Sequence, residues 1–172
     1  MTKLTTVYWD MLRHDDWTFQ LAATERGLCC ITLPNESFAT LEQWVTKHVP
    51  GAALVRDTDR LQPYILQVKE YLSGGRSEFS IPLDLRGTPF QIKVWRTLLN
   101  IPFGETVSYS QISESIGNAA AGRAVGAANG ANPIPIVVPC HRVIGKNGKL
   151  TGYRGGMEMK SQLLALEGWT SY

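Results

Sequence analysis

The sequence predicts a mixed α+β fold, with a small antiparallel β-sheet and helices in residues 1–86 and a mostly helical domain containing a helix-turn-helix in residues 87–172. Two observations lead to this prediction. Short β-prone runs separated by polar turns fill the first 34 residues, a pattern typical of antiparallel strands. Two capping boxes, each a helix-start pattern, follow residue 87. The stretch Asp84-Leu85-Arg86-Gly87 lies between the two regions and is the predicted domain boundary.

The composition is typical of a globular protein and gives no sign of a membrane-spanning segment. Of the 172 residues, 44% are hydrophobic and 19% are charged. No apolar run approaches the ~20 residues that a membrane helix needs. The N-terminal segment lacks the apolar core of a signal peptide, so we expect a cytoplasmic protein that makes no membrane contact. The chain has three cysteines, Cys29, Cys30 and Cys140. An odd number that includes an adjacent pair is a poor disulfide framework, so we expect a reducing compartment.

The charge is distributed unevenly along the chain. Residues 1–87 hold 9 Lys or Arg and 11 Asp or Glu, whereas residues 88–172 hold 8 and 4. The second half is therefore mildly basic. Such a balance permits a polyanionic partner but does not require one.

Three strands and two helices are predicted before the domain boundary. Polar turns separate the strands, and the third strand carries Cys29 and Cys30 as core or face residues. Each helix has apolar residues at helical spacing and ends at a glycine-containing stop. The predicted strands are 5–9, 17–21 and 28–33, the predicted helices are 38–49 and 59–72, and residues 79–85 are predicted to be extended.

Two capping patterns predict helices after the boundary. Thr88-Pro89-Phe90-Gln91 combines a capping box with proline at the first helical position. Ser108-Tyr109-Ser110-Gln111 is a second capping box, which opens a short helix ending near Gly117. Residues 119–129 then form a run of Ala and Gly in which Arg123 is the only charged residue. Two short helices joined by a tight turn indicate a helix-turn-helix.

The most reactive pair in the sequence follows the apolar run 134–138. Pro139 fixes its own φ and biases the residue before it to an extended conformation, so the run is predicted to end in a rigid turn that holds Cys140 and His141. A thiol beside an imidazole is the pairing that makes a nucleophile. The alternative is a buried, inert cysteine whose neighbouring histidine satisfies a local carbonyl.

The C-terminal segment is predicted to contain a turn, a loop and one helix. Gly145-Lys146-Asn147-Gly148-Lys149 has the composition of a hairpin turn with Asn147-Gly148 at its tip. Residues 151–156 are predicted to form a flexible loop. A final helix is predicted over 157–167, with Lys160, Leu163, Leu164 and Glu167 at helical spacing.

The motif Pro139-Cys140-His141-Arg142-Val143 resembles the active-site motif of the O6-alkylguanine-DNA alkyltransferases. The resemblance extends over residues 87–168, because further motifs of the family follow one another in the same order. They are Gly87-Thr88-Pro89-Phe90-Gln91, Pro102-Phe103-Gly104, Val107-Ser108-Tyr109, Arg123-Ala124-Val125-Gly126, Asn132-Pro133, Gly155-Gly156, and Leu163-Leu164 with Glu167-Gly168. Residues 1–86 carry little recognisable signal of the family.

The resemblance implies direct reversal of DNA damage by a methylated-DNA–protein-cysteine methyltransferase. An alkyl group would move from O6 of guanine, or from O4 of thymine, to Cys140, which would be consumed after one turnover. We hypothesise that His141 deprotonates Cys140 through a water and that Glu167 orients His141. We further hypothesise that Tyr109 donates a proton to the guanine ring as a general acid. Neither a cofactor nor a metal is expected, since the three histidines and Cys29-Cys30 reproduce no four-ligand set.

The expected partner is double-stranded DNA, bound in the minor groove by a monomer. A helix with side chains is about 10–12 Å across, and the minor groove is only about 6 Å wide, so only small side chains could press against it. The alternative is a helix packed against a neighbour. By resemblance, Arg123 fills the place of the flipped base; a plain phosphate contact is the alternative. The small residues expected at the groove are Ala121, Gly122, Ala124, Gly126, Ala127 and Ala128.

Two further groups of residues are expected around the lesion. Asn132 is predicted to tie the Ala/Gly helix to the active-site turn through an Asx-type hydrogen bond, with Pro139 and Val143 shaping that turn. Tyr153, Arg154 and Gly155 are predicted to form a lesion-pocket loop, although some relatives carry Ser where this chain has Arg154.

Two other functions remain open from the residues alone. Cys140, His141 and Glu167 could form a hydrolase that transfers acyl groups, turns over and needs no DNA. Alternatively, the protein could bind lesions without reacting.

Overall fold

The computed structural model describes residues 5–169 and divides into two compact units, one ending at Arg86 and one beginning at Gly87. The first unit is built on a four-stranded sheet of order β3-β2-β1-β4. Strands β1, β2 and β3 are antiparallel neighbours, as predicted, and β4 pairs in parallel with β1. Its elements are β1 (Thr6–His14), β2 (Trp17–Thr24), β3 (Gly27–Thr32), α1 (Phe38–His48), β4 (Ala53–Arg56) and α2 (Thr58–Leu72).

Strand β4 is the element of this unit that the sequence did not predict. It has only four residues, none of them buried, and its apolar run Ala53-Leu54-Val55 is too short to mark a strand by itself. Its conformation is fixed by the ladder from Thr6–Ala53 to Trp9–Arg56, which is a tertiary interaction.

The cysteine pair of β3 belongs to the core of the first unit. Cys29 and Cys30 pack in a cluster with Val7, Leu41 and Val45. The Cys29 thiol donates to the carbonyl of Ala22, and burial raises its pKa to about 12. A thiol that stays protonated at neutral pH is a poor nucleophile, so the chemistry of this chain is not expected at Cys29.

A close backbone approach leaves no room for a side chain at Gly27 in the first unit. Its φ is +148°, and a Cβ at this position would lie 2.5 Å from the carbonyl oxygen of Pro82. That oxygen cannot easily move, because it accepts a 3.0 Å hydrogen bond from the amide of Leu28.

We therefore expect Gly27→Ala to lower the free energy of unfolding by about 1–3 kcal/mol, as overpacking does. Gly75→Ala is the matched control, because its Cβ would meet the nearest atom at an ordinary 3.5 Å. Urea denaturation of both variants measures the difference. Equal stability of the two variants would contradict the assigned contact.

The second unit is mostly helical. Its elements are α3 (Pro89–Leu98), β5 (Val107–Ser108), α4 (Tyr109–Ser115), α5 (Gly122–Gly130), a 3₁₀ turn (Cys140–Arg142), β6 (Val143–Ile144) and α6 (Met157–Leu166). Both predicted capping boxes are confirmed: Thr88 with Gln91 at the start of α3, and Ser108 with Gln111 at the start of α4. Helices α4 and α5 form the predicted pair of short helices.

Helix α5 begins at Gly122 instead of near Ala119, because the preceding residues form a turn closed by the amide of Ala121 and the carbonyl of Asn118. The helix is anchored to α3 by the indole of Trp95, whose Nε1 donates to the carbonyl of Ala128 at 2.8 Å. The indole nitrogen thereby finds a partner while its ring fills the core.

The predicted hairpin at residues 145–149 is wrong, although the turn itself is present. The amide of Gly145 donates to the carbonyl of Lys149, and Gly148 has a φ of +79°. Strand β6, however, pairs in parallel with β5 through Val107–Val143 and Ser108–Ile144. The partner of β6 therefore comes from 36 residues earlier in the chain, which local turn chemistry cannot reveal.

Candidate active site

The Cys140 turn is a 3₁₀ turn that follows a strained, buried segment. Ile136 is buried and has a φ of +76°. A β-branched residue rarely adopts this left-handed conformation, which costs about 1–3 kcal/mol. Successive residues of a 3₁₀ helix are rotated by about 120°, so Cys140 and His141 leave the turn in different directions. This geometry is compatible with a relay between them and does not require direct contact.

Three side chains hold backbone carbonyls within and beside the turn. Asn132 donates from Nδ2 to the carbonyl of Val138 at 2.8 Å, and its Oδ1 accepts from the amide of Ile134, which is the predicted Asx-type bond. Asn129, on α5, donates to the carbonyl of Cys140 at 3.4 Å. Lys160, on α6, donates to the carbonyl of Val143 at 2.6 Å.

His141 and Glu167 meet as predicted. The imidazole Nε2 lies 2.7 Å from Glu167 Oε2, and both residues are buried. A carboxylate only accepts hydrogen bonds, so Nε2 carries the hydrogen and Nδ1 is the nitrogen that can take up a proton. This is the base-and-orienter arrangement of catalytic triads.

Glu167 also binds a cation that the sequence did not single out. Arg142 donates to it from Nε at 2.8 Å and from Nη2 at 3.0 Å, a bidentate pair. Arg142 further donates from Nη1 to the carbonyl of Ile101, and the amide of Gly104 donates to Glu167 Oε1. The carboxylate is thus held from several directions, which fixes the His141 ring.

Burial keeps the thiol and the imidazole neutral in the resting protein. Cys140 is 5% exposed, and this desolvation raises the pKa of its thiol, with the Asn132 amide and the Arg154 and Lys160 charges acting in the opposite direction. Desolvation also lowers the pKa of His141, against the effect of Glu167. A neutral imidazole can accept a proton. The arrangement therefore suits proton removal during attack on a substrate.

Lys160 is a completely buried amine next to the Cys140 turn. Its Nζ donates to the carbonyls of Val143 and Thr151, and burial lowers its pKa to about 8. Because both acceptors are backbone carbonyls, Lys160 joins strand β6 to the loop that follows the 145–149 turn.

The β5–β6 ladder places Tyr109 beside the end of the strand that follows the Cys140 turn. Val107 pairs with Val143, so the chain leaves β5 into Tyr109 beside the segment that leaves the turn. The Tyr109 hydroxyl lies 2.8 Å from Thr151 Oγ1.

An open groove of about 460 Å³ lies along α4 and α5. Its cations are Arg123 and Lys146, and its lining includes no carboxylate. The groove is lined by Tyr109, Ser110, Ser113, Ala119, Gly122, Arg123, Gly126 and Lys146.

Most of the small residues predicted to contact DNA are accessible on α5 or at its start. Ala124 and Ala127 are exposed, and Ala121, Gly122 and Gly126 are half-buried. Ala128 differs from this prediction. It is 2% exposed, and its carbonyl accepts from the Trp95 indole, so it lies where α5 packs against α3 and cannot contact DNA bound to the outer face of α5. Its inclusion in the predicted set was wrong, because a run of small residues does not show which face is buried.

In the predicted lesion-pocket loop, Arg154 is engaged with the protein itself. Its Nη1 donates to the carbonyls of Gly130 and Asn132, at the end of α5. Arg154 therefore ties the loop to α5, and a cation near a helix C-terminus is favourable there. Tyr153 and Gly155 are half-buried beside it.

Sequence reasoning missed four residues that build this site: Asn129, Arg142, Thr151 and Lys160. A signal existed for Lys160, since it shares the helical stripe of Leu163, Leu164 and Glu167 and a polar residue on such a stripe needs a partner. Within residues 5–169, no group of three or more His, Cys, Asp or Glu side chains is placed to hold a metal ion. None of the helices in this range has the length and apolar character needed to cross a bilayer.

Comparisons with known proteins agree over almost the whole chain. The family models of 6-O-methylguanine DNA methyltransferase match residues 7–85 (ribonuclease-like domain) and 89–169 (DNA binding domain). The inducible methylated-DNA–protein-cysteine methyltransferase of Bacillus subtilis is 51% identical over 166 residues, covering 96% of this chain and 93% of that protein.

Solved structures give the same result. The crystal structure of Mycobacterium tuberculosis O6-methylguanine methyltransferase matches with a TM-score of 0.81 and 40% identity, covering 94% of this chain and 93% of that one. A structure of the M. tuberculosis protein in complex with DNA matches with a TM-score of 0.81 and 41% identity, covering 93% and 92%.

Proposed function

Since the chain belongs to the 6-O-methylguanine DNA methyltransferase family, we propose that it repairs DNA by transferring an alkyl group from O6 of guanine to the sulfur of Cys140. The B. subtilis relative is named for methyl transfer from DNA to a protein cysteine. The observation that carries the assignment to Cys140 is its place on a buried turn beside the 2.7 Å contact of His141 with Glu167. We extend the substrates to O4-alkylthymine, which presents a similar leaving group.

In the proposed reaction, one S–C bond forms as one C–O bond breaks. The Cys140 proton passes through a water to His141 Nδ1, and the thiolate displaces the alkyl carbon in line with O6. The electron pair of the broken bond moves into the guanine ring, where a ring nitrogen takes the proton of the Tyr109 hydroxyl. The imidazolium proton then returns through solvent to the phenolate. The products are neutral guanine and a thioether, with no cofactor consumed.

Once Cys140 carries the alkyl group as a thioether, the protein cannot react again. Thiol exchange does not reverse a thioether, and the proposed reaction includes no step that removes the alkyl group from Cys140. We therefore propose one repair event per molecule, by a monomer in a reducing cytoplasm.

We propose that α5 meets the minor groove of DNA and that the alkylated base is flipped out of the duplex. The exposed Ala124 and Ala127 support this, because their methyl groups let the helix backbone come close to a narrow groove. Arg123 is exposed on the same helix and is proposed to occupy the vacated stack. Flipping costs a few kcal/mol, which such a side chain would offset.

We expect Arg123→Ala to slow repair of a lesion in duplex DNA much more than in single-stranded DNA, where no stack must be replaced. The slope of log affinity against log salt should stay close to that of the wild type. Lys146→Gln, in the same groove, is the matched control and should reduce that slope by about 0.9 if Lys146 neutralises one phosphate. If Arg123→Ala slows repair equally in duplex and single-stranded DNA and also reduces the salt slope, Arg123 contacts a phosphate and does not replace the flipped base.

The proposed function is tested by titrating duplex DNA containing O6-methylguanine with limiting protein. We expect one lesion to disappear for each protein molecule and none with Cys140→Ser. Continued turnover, or ester cleavage without DNA, would favour the hydrolase. Tight binding with no loss of the lesion would favour a binding protein. Either result would overturn the proposal.

A further inference from the structure

The hydrogen bond between Tyr109 and Thr151 joins two distant parts of the second unit. The two hydroxyl oxygens are 2.8 Å apart, although the residues are separated by 42 positions in the chain. Tyr109 opens α4, and Thr151 lies in the loop after the 145–149 turn. Both residues are half-buried, so the hydrogen bond is partly shielded from solvent but can still be reached by a ligand.

The Thr151 backbone is held by a rigid partner. Lys160 donates to the Thr151 carbonyl at 3.0 Å and to the Val143 carbonyl at 2.6 Å. Lys160 is fully buried, so these two bonds link Thr151 to the strand that directly follows the Cys140 turn. The Thr151 backbone is thereby fixed relative to the strand that follows the nucleophile.

The Tyr109 ring is limited on another side by α5. A Cβ at Gly126 would lie 4.0 Å from Tyr109 Cδ1, an ordinary contact distance, so the helix backbone runs beside the ring. The ring is thus set by α5, and its hydroxyl is set by Thr151. This is how a rigid protein presents a proton donor in one direction.

We propose that Thr151 is a positioning residue for Tyr109, donating its hydroxyl hydrogen to the phenol oxygen so that the phenol proton points to the leaving guanine. This inference rests on the proposed function. As the C–O bond breaks, the Tyr109 proton moves to a ring nitrogen and negative charge develops on the phenol oxygen. The Thr151 hydrogen bond becomes charge-assisted at that moment, which strengthens it. An interaction that strengthens in the transition state accelerates the reaction.

A purely structural role for Thr151 predicts a different pattern. If the hydroxyl only anchored the loop through its bond to Tyr109, its loss would loosen the loop and weaken DNA binding. If it orients the phenol proton, its loss lowers the rate of methyl transfer and leaves DNA affinity unchanged. Affinity and rate are therefore measured separately, and a double-mutant cycle between the two positions tests whether the effect on the rate passes through the phenol.

The experiment measures the single-turnover rate of Cys140 methylation at saturating duplex DNA containing O6-methylguanine. We expect Thr151→Val to react about tenfold more slowly than the wild type, equivalent to ~1.4 kcal/mol, with DNA affinity unchanged. Thr151→Ser should restore the rate, because it restores the hydroxyl. In a Tyr109→Phe background, Thr151→Val should cause no further loss. Thr97→Val is the matched control, since its hydroxyl bonds only within α3, to the carbonyl of Lys93.

A wild-type rate in Thr151→Val, or the same loss in the Tyr109→Phe background, would overturn the inference. Thermal unfolding of each variant shows whether it is folded, and Thr151→Ala replaces the valine variant if that one is not. The two proposals fail in different ways. If the wild type does not methylate Cys140, the proposed function is wrong; if the wild type reacts and Thr151→Val reacts equally fast, only the role of Thr151 is wrong.

Discussion

Tyr109→Phe is expected to slow methyl transfer to Cys140 by about 10²–10⁴-fold, the range for a lost general acid. Guanine is a poor leaving group as an anion, because its displacement leaves an electron pair in the ring. The Tyr109 hydroxyl neutralises that charge in the proposed reaction. Its location after β5, beside the strand that follows the Cys140 turn, is consistent with this role.

The rate should be measured in single-turnover experiments with DNA in excess, so that binding does not limit it. DNA affinity should change little, since phenylalanine keeps the ring that lies along α5. Ser110→Ala is a useful control, because Ser110 lines the same groove and has no proposed chemical role. A Tyr109→Phe protein that reacts as fast as the wild type would remove Tyr109 from the mechanism.

Glu167→Ala is expected to lower the free energy of unfolding by about 3–5 kcal/mol, the usual cost of leaving a buried partner charge uncompensated. Arg142 is 6% exposed and would lose both hydrogen bonds of its bidentate pair. The Gly104 amide would also lose its acceptor. In addition, His141 would lose the contact that fixes its tautomer, so methylation of Cys140 should slow strongly.

Glu167→Gln separates the two effects. The amide can still accept from Gly104 or Arg142 but carries no charge, so it should be more stable than the alanine variant and still react slowly. Urea denaturation gives the stability, and single-turnover kinetics give the rate. An alanine variant with wild-type stability would show that the buried ion pair is not needed for folding. A wild-type rate in folded Glu167→Gln would show that Glu167 does not act through His141.

Sequence reasoning succeeded where the cause of a structure is local. The capping boxes at Thr88 and Ser108 are confirmed because each is completed within four residues. The Asx-type bond of Asn132 is confirmed for the same reason, since its partner Ile134 is two residues away. The meeting of His141 with Glu167 is confirmed although it spans 26 residues; there the family motif supplied what local chemistry could not.

The errors have the opposite origin, because they depend on partners distant in the chain. Strand β4 exists through its pairing with β1, and β6 pairs with β5 instead of with the segment after the turn. Ala128 is as small as its neighbours, and only its burial in the folded protein shows that it faces inward. Arg142 and Lys160 look like ordinary cations in the sequence. Their importance follows from burial, which the charge pattern does not reveal.

The most direct test of this account is peptide mapping by mass spectrometry after the protein has reacted with DNA containing O6-methylguanine. We predict that a single methyl group is found on the peptide that contains Cys140, and that the peptide with Cys29 and Cys30 is unchanged. An unmodified Cys140 in protein that has removed the lesion, or a methyl group on another residue, would contradict the assignment of Cys140 as the acceptor.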